Sequence, residues 1–143
     1  MLKRPINARF REPVLRDIKT TTIREKAWPV GVPIMLYSWS GDAYRSKQID
    51  VAAIIVAEVR TIKIQHLRNG ELRFLPGHFS VPWRKEAPEW EDRWLFETEG
   101  FATADELHAW FRPLVKRGQT VEKTLMLFRR SNVVHEPHAP KKD

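Results

Sequence analysis

The sequence predicts an α+β domain that is mainly β, with short helices at its flank, and three observations predict it. Gln48 to Ile64 is long and β-prone, with a continuous apolar centre at Val51-Ala52-Ala53-Ile54-Ile55-Val56-Ala57. That pattern suits a strand buried on both faces or curling into a barrel. Ile34 to Trp39 and Thr120 to Arg129 are further strand-like runs, the second with imperfect alternation. Helical spacing of apolar residues is confined to two short segments, Glu12 to Asp17 and Ala104 to Phe111.

Taken in order, Met1 to Pro5 reads as a basic, loosely held start and Ile6 to Phe10 as a first strand. Pro13 sits where a first helical turn accepts proline. Val14, Leu15 and Ile18 then complete a short helix that delivers Lys19 at its end. Glu25 to Pro33 is a loop, Ser40-Gly41-Asp42 a turn, and Ala43 to Ser46 loop. Asn69-Gly70 is a hairpin signal between Ile64 and Leu72. Residues 76–94 are rich in Pro and Trp (Pro76, Pro82, Trp83, Pro88, Trp90, Trp94) and read as an insertion, either a lid or partner surface or tryptophans sealing one end of a barrel. Thr103 is a good N-cap, with Glu106 at the third helical position. Leu107, Trp110 and Phe111 form one stripe, and Pro113 ends the helix. Residues 1–130 therefore form one domain, and residues 131–143, rich in Pro, His and Lys, read as a disordered tail.

One domain is the expected count for 143 residues. Cysteine is absent, which excludes a disulfide frame, a thiol nucleophile and a Cys-based zinc site. There is no run long enough to span a bilayer and no signal-peptide pattern, so the expectation is a cytoplasmic protein without a membrane partner. The formal charge of +7 favours polyanionic partners such as RNA, DNA or a phosphorylated small molecule; solubility is the alternative, since Lys3, Arg4, Lys141 and Lys142 lie at the ends.

The stretch that carries chemistry is Ile18-Lys19-Thr20-Thr21-Thr22-Ile23-Arg24. Thr and Ile favour extended backbone, so Thr20, Thr22 and Arg24 are expected on one face of a strand. A core strand would carry apolar residues at that period. Hydroxyls and a cation instead suggest a face that lines a polar site.

This segment, preceded by Phe10 and a helical run and followed by Val30-Gly31 before a strand, resembles the ASCH domain, a family of PUA-like β-barrels. Glu99-Gly100-Phe101 before the helix Ala104 to Phe111 is similar to the second signature of that family. The resemblance covers Asn7 to Arg129 and implies a PUA-like small β-barrel with two short flanking helices. It also implies the activity of one ASCH branch, small amidohydrolases that deacylate N4-acetylcytidine and related N4-acylated cytosines. Their catalytic Lys, Thr and Glu match Lys19, Thr22 and Glu99, and Arg24 matches an arginine of the same motif.

In chemical terms, a threonine hydroxyl needs a base, and a lysine serves only when burial or a nearby cation such as Arg24 lowers its pKa. Glu99 would orient that lysine but would also raise its pKa. Lys19 and Thr22 are three residues apart, on opposite faces of a regular strand, so they converge only if Lys19 sits in the turn before the strand. Without the resemblance, the same residues read as surface cations, strand-forming threonines and a carboxylate paired to one cation. A second reading is an RNA-binding module. Lys19, Arg24, Arg45, Lys47, Arg60 and Lys63 would then contact phosphates, and Trp39 or Tyr44 would stack a base in the same cleft, with burial in the core as the alternative for each aromatic. Thr20, Arg24, Trp39 and Tyr44 are thus the expected substrate-binding residues. A ribonuclease would use Lys19 and Glu99 as base and acid, but no His pair supports it. No metal or cofactor is expected. His135-Glu136-Pro137-His138 has ligand residue types, but a Pro-containing tail is a poor cage, and His66, His78 and His108 are scattered.

Overall fold

In a computed structural model, which describes residues 1–75 and 88–131, the chain is mainly β. Six strands form one mixed sheet: β1 (Leu2–Pro5), β2 (Thr21–Arg24), β3 (Pro33–Trp39), β4 (Gln48–His66), β5 (Leu72–Leu75) and β6 (Thr120–Arg130). The helices are α1 (Arg11–Leu15), α2 (Pro88–Glu99) and α3 (Ala104–Phe111), with single 3-10 turns at Ala8–Phe10 and Arg112–Leu114.

The path through the sheet is β1-β3-β4-β6-β2, with β5 pairing β4 off that path. β4 is the spine. It pairs antiparallel with β3 through its first half and with β6 through its second, and one bulge between Val56 and Glu58 lets it bend. That bend lets Ile54, Val56, Ile62 and Ile64 all reach the core. Ile34, Leu36, Leu107, Leu125 and Met126 meet them there, each essentially removed from solvent.

Several expectations are corrected. The first strand is Leu2–Pro5 rather than Ile6 to Phe10, because residues 2–5 pair in parallel with β3, Leu2 opposite Ile34. Asn7 then caps a 3-10 turn, its side chain accepting from the Arg9 amide at 2.9 Å. Among the described residues there are three helices rather than two, since α2 runs through Pro88 to Glu99, where the Trp/Pro-rich stretch reads as an insertion. The sheet also does not close into a barrel. Among the described residues β1 pairs only with β3 and β2 only with β6, which leaves a seam between the two ends of the path.

The hairpin at Asn69-Gly70 is present, with Gly70 at φ 95°. So is the α3 cap. Thr103 Oγ1 accepts from the Glu106 amide at 3.2 Å, and the Glu106 carboxylate accepts from the Ala102 amide at 2.9 Å. Among the described residues no helix is long and apolar enough to cross a membrane. The expected lid or seal at residues 76–87 and the expected tail at residues 132–143 lie outside the described residues.

Candidate active site

The open seam of the sheet is a cleft of about 360 Å³, within the size range of small-molecule sites. Pro5, Ile6 and Asn7 line one side, following β1. Thr22, Ile23 and Arg24 of β2 line the other. Phe10, Trp110 and Phe111 form an apolar wall, and Lys19 and Glu99 complete the lining. The Arg24 side chain crosses the seam and donates from Nη2 to the Pro5 carbonyl at 2.8 Å, so a guanidinium stands where strand pairing would have been.

Two chain reversals deliver the buried ions. α1 ends with Asp17 at φ 58°, a left-handed conformation that Asp tolerates better than most residues. The Pro13 carbonyl then accepts from both the Ile18 and the Lys19 amides, at 2.8 and 3.0 Å. This turn points Lys19 inward before β2 begins, as convergence with Thr22 requires, and both residues line the cleft.

α2 supplies the carboxylate. Its end is a Schellman motif: Gly100 at φ 94° donates to Glu97 O at 3.0 Å, and Phe101 donates to Phe96 O at 2.9 Å. The Glu-Gly-Phe sequence therefore has a physical meaning. Glu99 is the last residue of the helix, Gly100 takes the left-handed position, and Phe101 packs beneath against Phe10, ring centroids 5.4 Å apart. A Cβ at Gly100 would stand 3.3 Å from both Lys19 Cβ and Phe10 Cδ1, so glycine also allows this close packing.

Lys19 and Glu99, eighty residues apart, meet in the interior, each about 3 % exposed. Lys19 Nζ donates to the Glu99 carbonyl at 2.9 Å, satisfying an orphan carbonyl at the helix end, and lies 3.6 Å from Glu99 Oε1. The ammonium also sits over the Phe10 ring at 4.4 Å. Glu99 Oε2 accepts from Thr21 Oγ1 at 2.5 Å, a short bond of the charge-assisted kind. Thr21 Oγ1 is 3.1 Å from Thr98 Oγ1, which donates to the Leu95 carbonyl at 3.3 Å. Arg24 Nε donates to Thr22 Oγ1 at 3.0 Å.

Burial, first of all, pushes the Lys19 amine below its ordinary value. The Glu99 carboxylate opposes this, and the charges of Arg24 and Arg9 reinforce it. Glu99 is pushed above the ordinary carboxylate value by burial, against the pull of Lys19, the Thr21 hydrogen bond and Arg24. One carboxylate in the cleft lining faces two cationic side chains. With the guanidinium permanently charged, loss of the Lys19 proton leaves the group electrically balanced.

The expected site residues are thus divided. Lys19, Thr22, Arg24 and Glu99 share the cleft. Thr20 does not line it; Thr20 lines a smaller cleft of about 300 Å³ on the other side of Lys19, with Val14 and Phe128. Trp39 and Tyr44 also lie outside, at the end of β3 beyond Tyr37 and in the following turn. Sequence reasoning missed Thr21, Phe10 and Trp110. Thr21 is on the strand face opposite Thr22, and only α2, absent from the expected elements, makes that face polar. Trp110 had been read solely as part of a core stripe.

Among the described residues no three His, Cys, Asp or Glu side chains gather as a metal site, and His135 and His138 lie outside them. No protein-family model matches the chain, and comparison with curated proteins and with solved structures gives no match.

Proposed function

We propose that this chain is an ASCH-type, PUA-like amidohydrolase that removes the acyl group from N4-acylated cytidine. The observation that carries the reading is the buried Lys19–Glu99 pair opening onto the same cleft as the Thr22–Arg24 pair. The resemblance in the two signature segments supplies the substrate class.

In this reading the acylated base lies against Phe10 and Trp110, with its carbonyl carbon at Thr22. Lys19, in its unprotonated form, takes the Thr22 proton as the oxygen attacks. Arg24 Nε, donating to Thr22 Oγ1, positions that oxygen, and the guanidinium charge beside the cleft stabilises the oxyanion that forms on the acyl carbonyl oxygen. Collapse expels the exocyclic nitrogen of cytidine, which takes the proton from Lys19, and leaves an acyl ester on Thr22. Water, deprotonated by the same amine, hydrolyses the ester and releases the carboxylate. A shorter route, attack by water activated at Lys19, uses the same base without an ester. Glu99 holds the lysine in place in both.

The test is release of cytidine from N4-acetylcytidine. Turnover should be present in wild type and fall roughly 100-fold or more in Lys19→Met. Thr22→Ala with a similar loss supports the ester route, and retained turnover in Thr22→Ala supports direct attack by water. No turnover in wild type, together with salt-steep RNA binding lost in Arg24→Gln, would replace the hydrolase with an RNA-binding module that uses this cleft.

A further inference from the structure

Tyr44 is the most exposed large aromatic side chain among the described residues, at 88 %, and its backbone is left-handed, φ 65°. A bulky residue rarely adopts that conformation, which glycine would take freely. The turn that imposes it is braced. Ser46 Oγ donates to the Asp42 carbonyl at 2.7 Å and accepts from the Gly41 amide at 2.9 Å, and the Ser40 amide donates to Lys47 O at 2.8 Å. The effect is to set the Tyr44 ring beside Trp39, centroids 5.1 Å apart and planes 50° apart, with most of its surface in water.

Trp39 is itself backed by Tyr37, at 5.7 Å. Arg11 anchors this end of the strand, donating to Ser38 Oγ at 2.6 Å and to the Trp39 carbonyl at 3.2 Å. The three rings form a row that runs from the outer face of β3 into the turn that follows it. The row begins beside the cleft, because Tyr37 pairs with Pro5 and its carbonyl accepts from the Ile6 amide at 2.8 Å, and both Pro5 and Ile6 line the seam.

Cations accompany the row. Arg45 and Lys47 follow Tyr44 in the turn, outnumbering its Asp42, while Lys3 Nζ, 5.8 Å from the Tyr37 ring centroid, is paired with Asp50. On a chain of formal charge +7 this combination of an exposed ring and flanking cations complements a polyanion that carries flat bases.

We propose that Tyr44, backed by Trp39, is a stacking platform for a base of single-stranded nucleic acid, separate from the cleft and reached from its rim along β3. This deepens the function proposed above, on which only its substrate half rests. The acylated cytidine would be presented within a strand, with a neighbouring base on Tyr44, rather than as a free nucleoside.

Anisotropy of a labelled oligocytidine reads the binding half without any turnover. Wild type should bind, with affinity that falls as salt rises, and Tyr44→Ala should bind about 5- to 100-fold more weakly while Tyr44→Phe stays near wild type. Oligoribocytidine and oligodeoxyribocytidine, run side by side, show which sugar the site takes. An abasic strand of equal phosphate count should bind like Tyr44→Ala does. Equal binding of the abasic strand, or wild-type affinity in Tyr44→Ala, would overturn the platform, as would no binding by wild type. Unchanged melting of both variants shows that the comparison is between folded proteins. Oligonucleotide binding without N4-acetylcytidine turnover would remove the hydrolase and leave the platform. Turnover without oligonucleotide binding would do the reverse.

Discussion

The two strands at the ends of the sheet path, β1 and β2, are each four residues long, and each edge holds a lysine paired with a carboxylate. On β1, Lys3 meets Asp50 at 2.9 Å, both about half exposed. At β2, Lys19 meets Glu99 at the longer distance of 3.6 Å, both buried. The shorter pair lies in water, which screens it and solvates each ion when the pair opens. The longer pair has no such alternative, so each ion depends on its partner, on the helix-end carbonyl and on the Thr21 hydroxyl. Burial rather than distance decides what a pair of charges can do. It makes the β2 pair expensive to break and shifts both of its pKa values, whereas the β1 pair opens into water at little cost.

The cause of the difference is α2. It packs across β2, and the Thr20 amide donates to the Thr98 carbonyl at 2.8 Å, so the outer edge of the sheet is covered there. β1 has no such cover over Lys3, which is exposed.

The largest expected effect is at the dry edge. Lys19→Met or Glu99→Gln alone should each cost about 3–5 kcal/mol of stability, because an uncompensated ionisable group stays buried. The double variant should recover most of that loss, and urea melts of all three decide it. An additive double variant would mean that the two side chains are not coupled.

Next comes Thr21→Val, which removes the hydroxyl from Glu99 Oε2 and should cost about 1.5–3 kcal/mol by the same melts. Thr21→Ser should restore most of it. A serine variant no better than valine would assign the loss to packing rather than to the hydrogen bond.

The pH dependence of deacylation sharpens the electrostatic side. In the proposed reaction Lys19 acts when unprotonated, so the rate should rise with pH along a limb centred below 10.5, the ordinary lysine value. Removing the Arg24 charge in Arg24→Gln lets the lysine hold its proton more tightly, and the limb should move to higher pH. Glu99→Gln removes the main influence that raises the Lys19 value, and its limb should move to lower pH. Shifts of the same sign in the two variants would exclude Lys19 as the titrating base.

The smallest effect belongs to the wet edge. Lys3→Met should change stability by no more than about 1 kcal/mol. A loss comparable to that of Lys19→Met would dissolve the contrast between the edges.

Local chemistry and spacing were enough to read β3, β4, β6, the α3 cap and the Asn69-Gly70 turn, because each depends on residues close in sequence. They also marked Lys19, Thr22, Arg24 and Glu99 as one group, although through resemblance to known signatures rather than through periodicity. α2 was not legible, since Pro88, Trp90 and Trp94 within a Pro- and Trp-rich stretch disguise a helix of ordinary length. With it went Thr21, whose polar partner is on that helix. The placement of Trp39 and Tyr44 was equally beyond reach, because strand alternation gives the face of a residue but not where along the sheet a cleft will open.

What the sequence alone determined is that β3, β4 and β6 extend and that α3 coils behind its Thr103 cap, since those follow from side-chain type and local backbone preference. The tertiary structure decided that the sheet stays open, that the opening is the cleft, and that an ammonium and a carboxylate are shut away from water beside it. Those outcomes depend on how distant strands and one helix end pack, and the free energy of a buried charge is set by everything around it rather than by its neighbours in the chain.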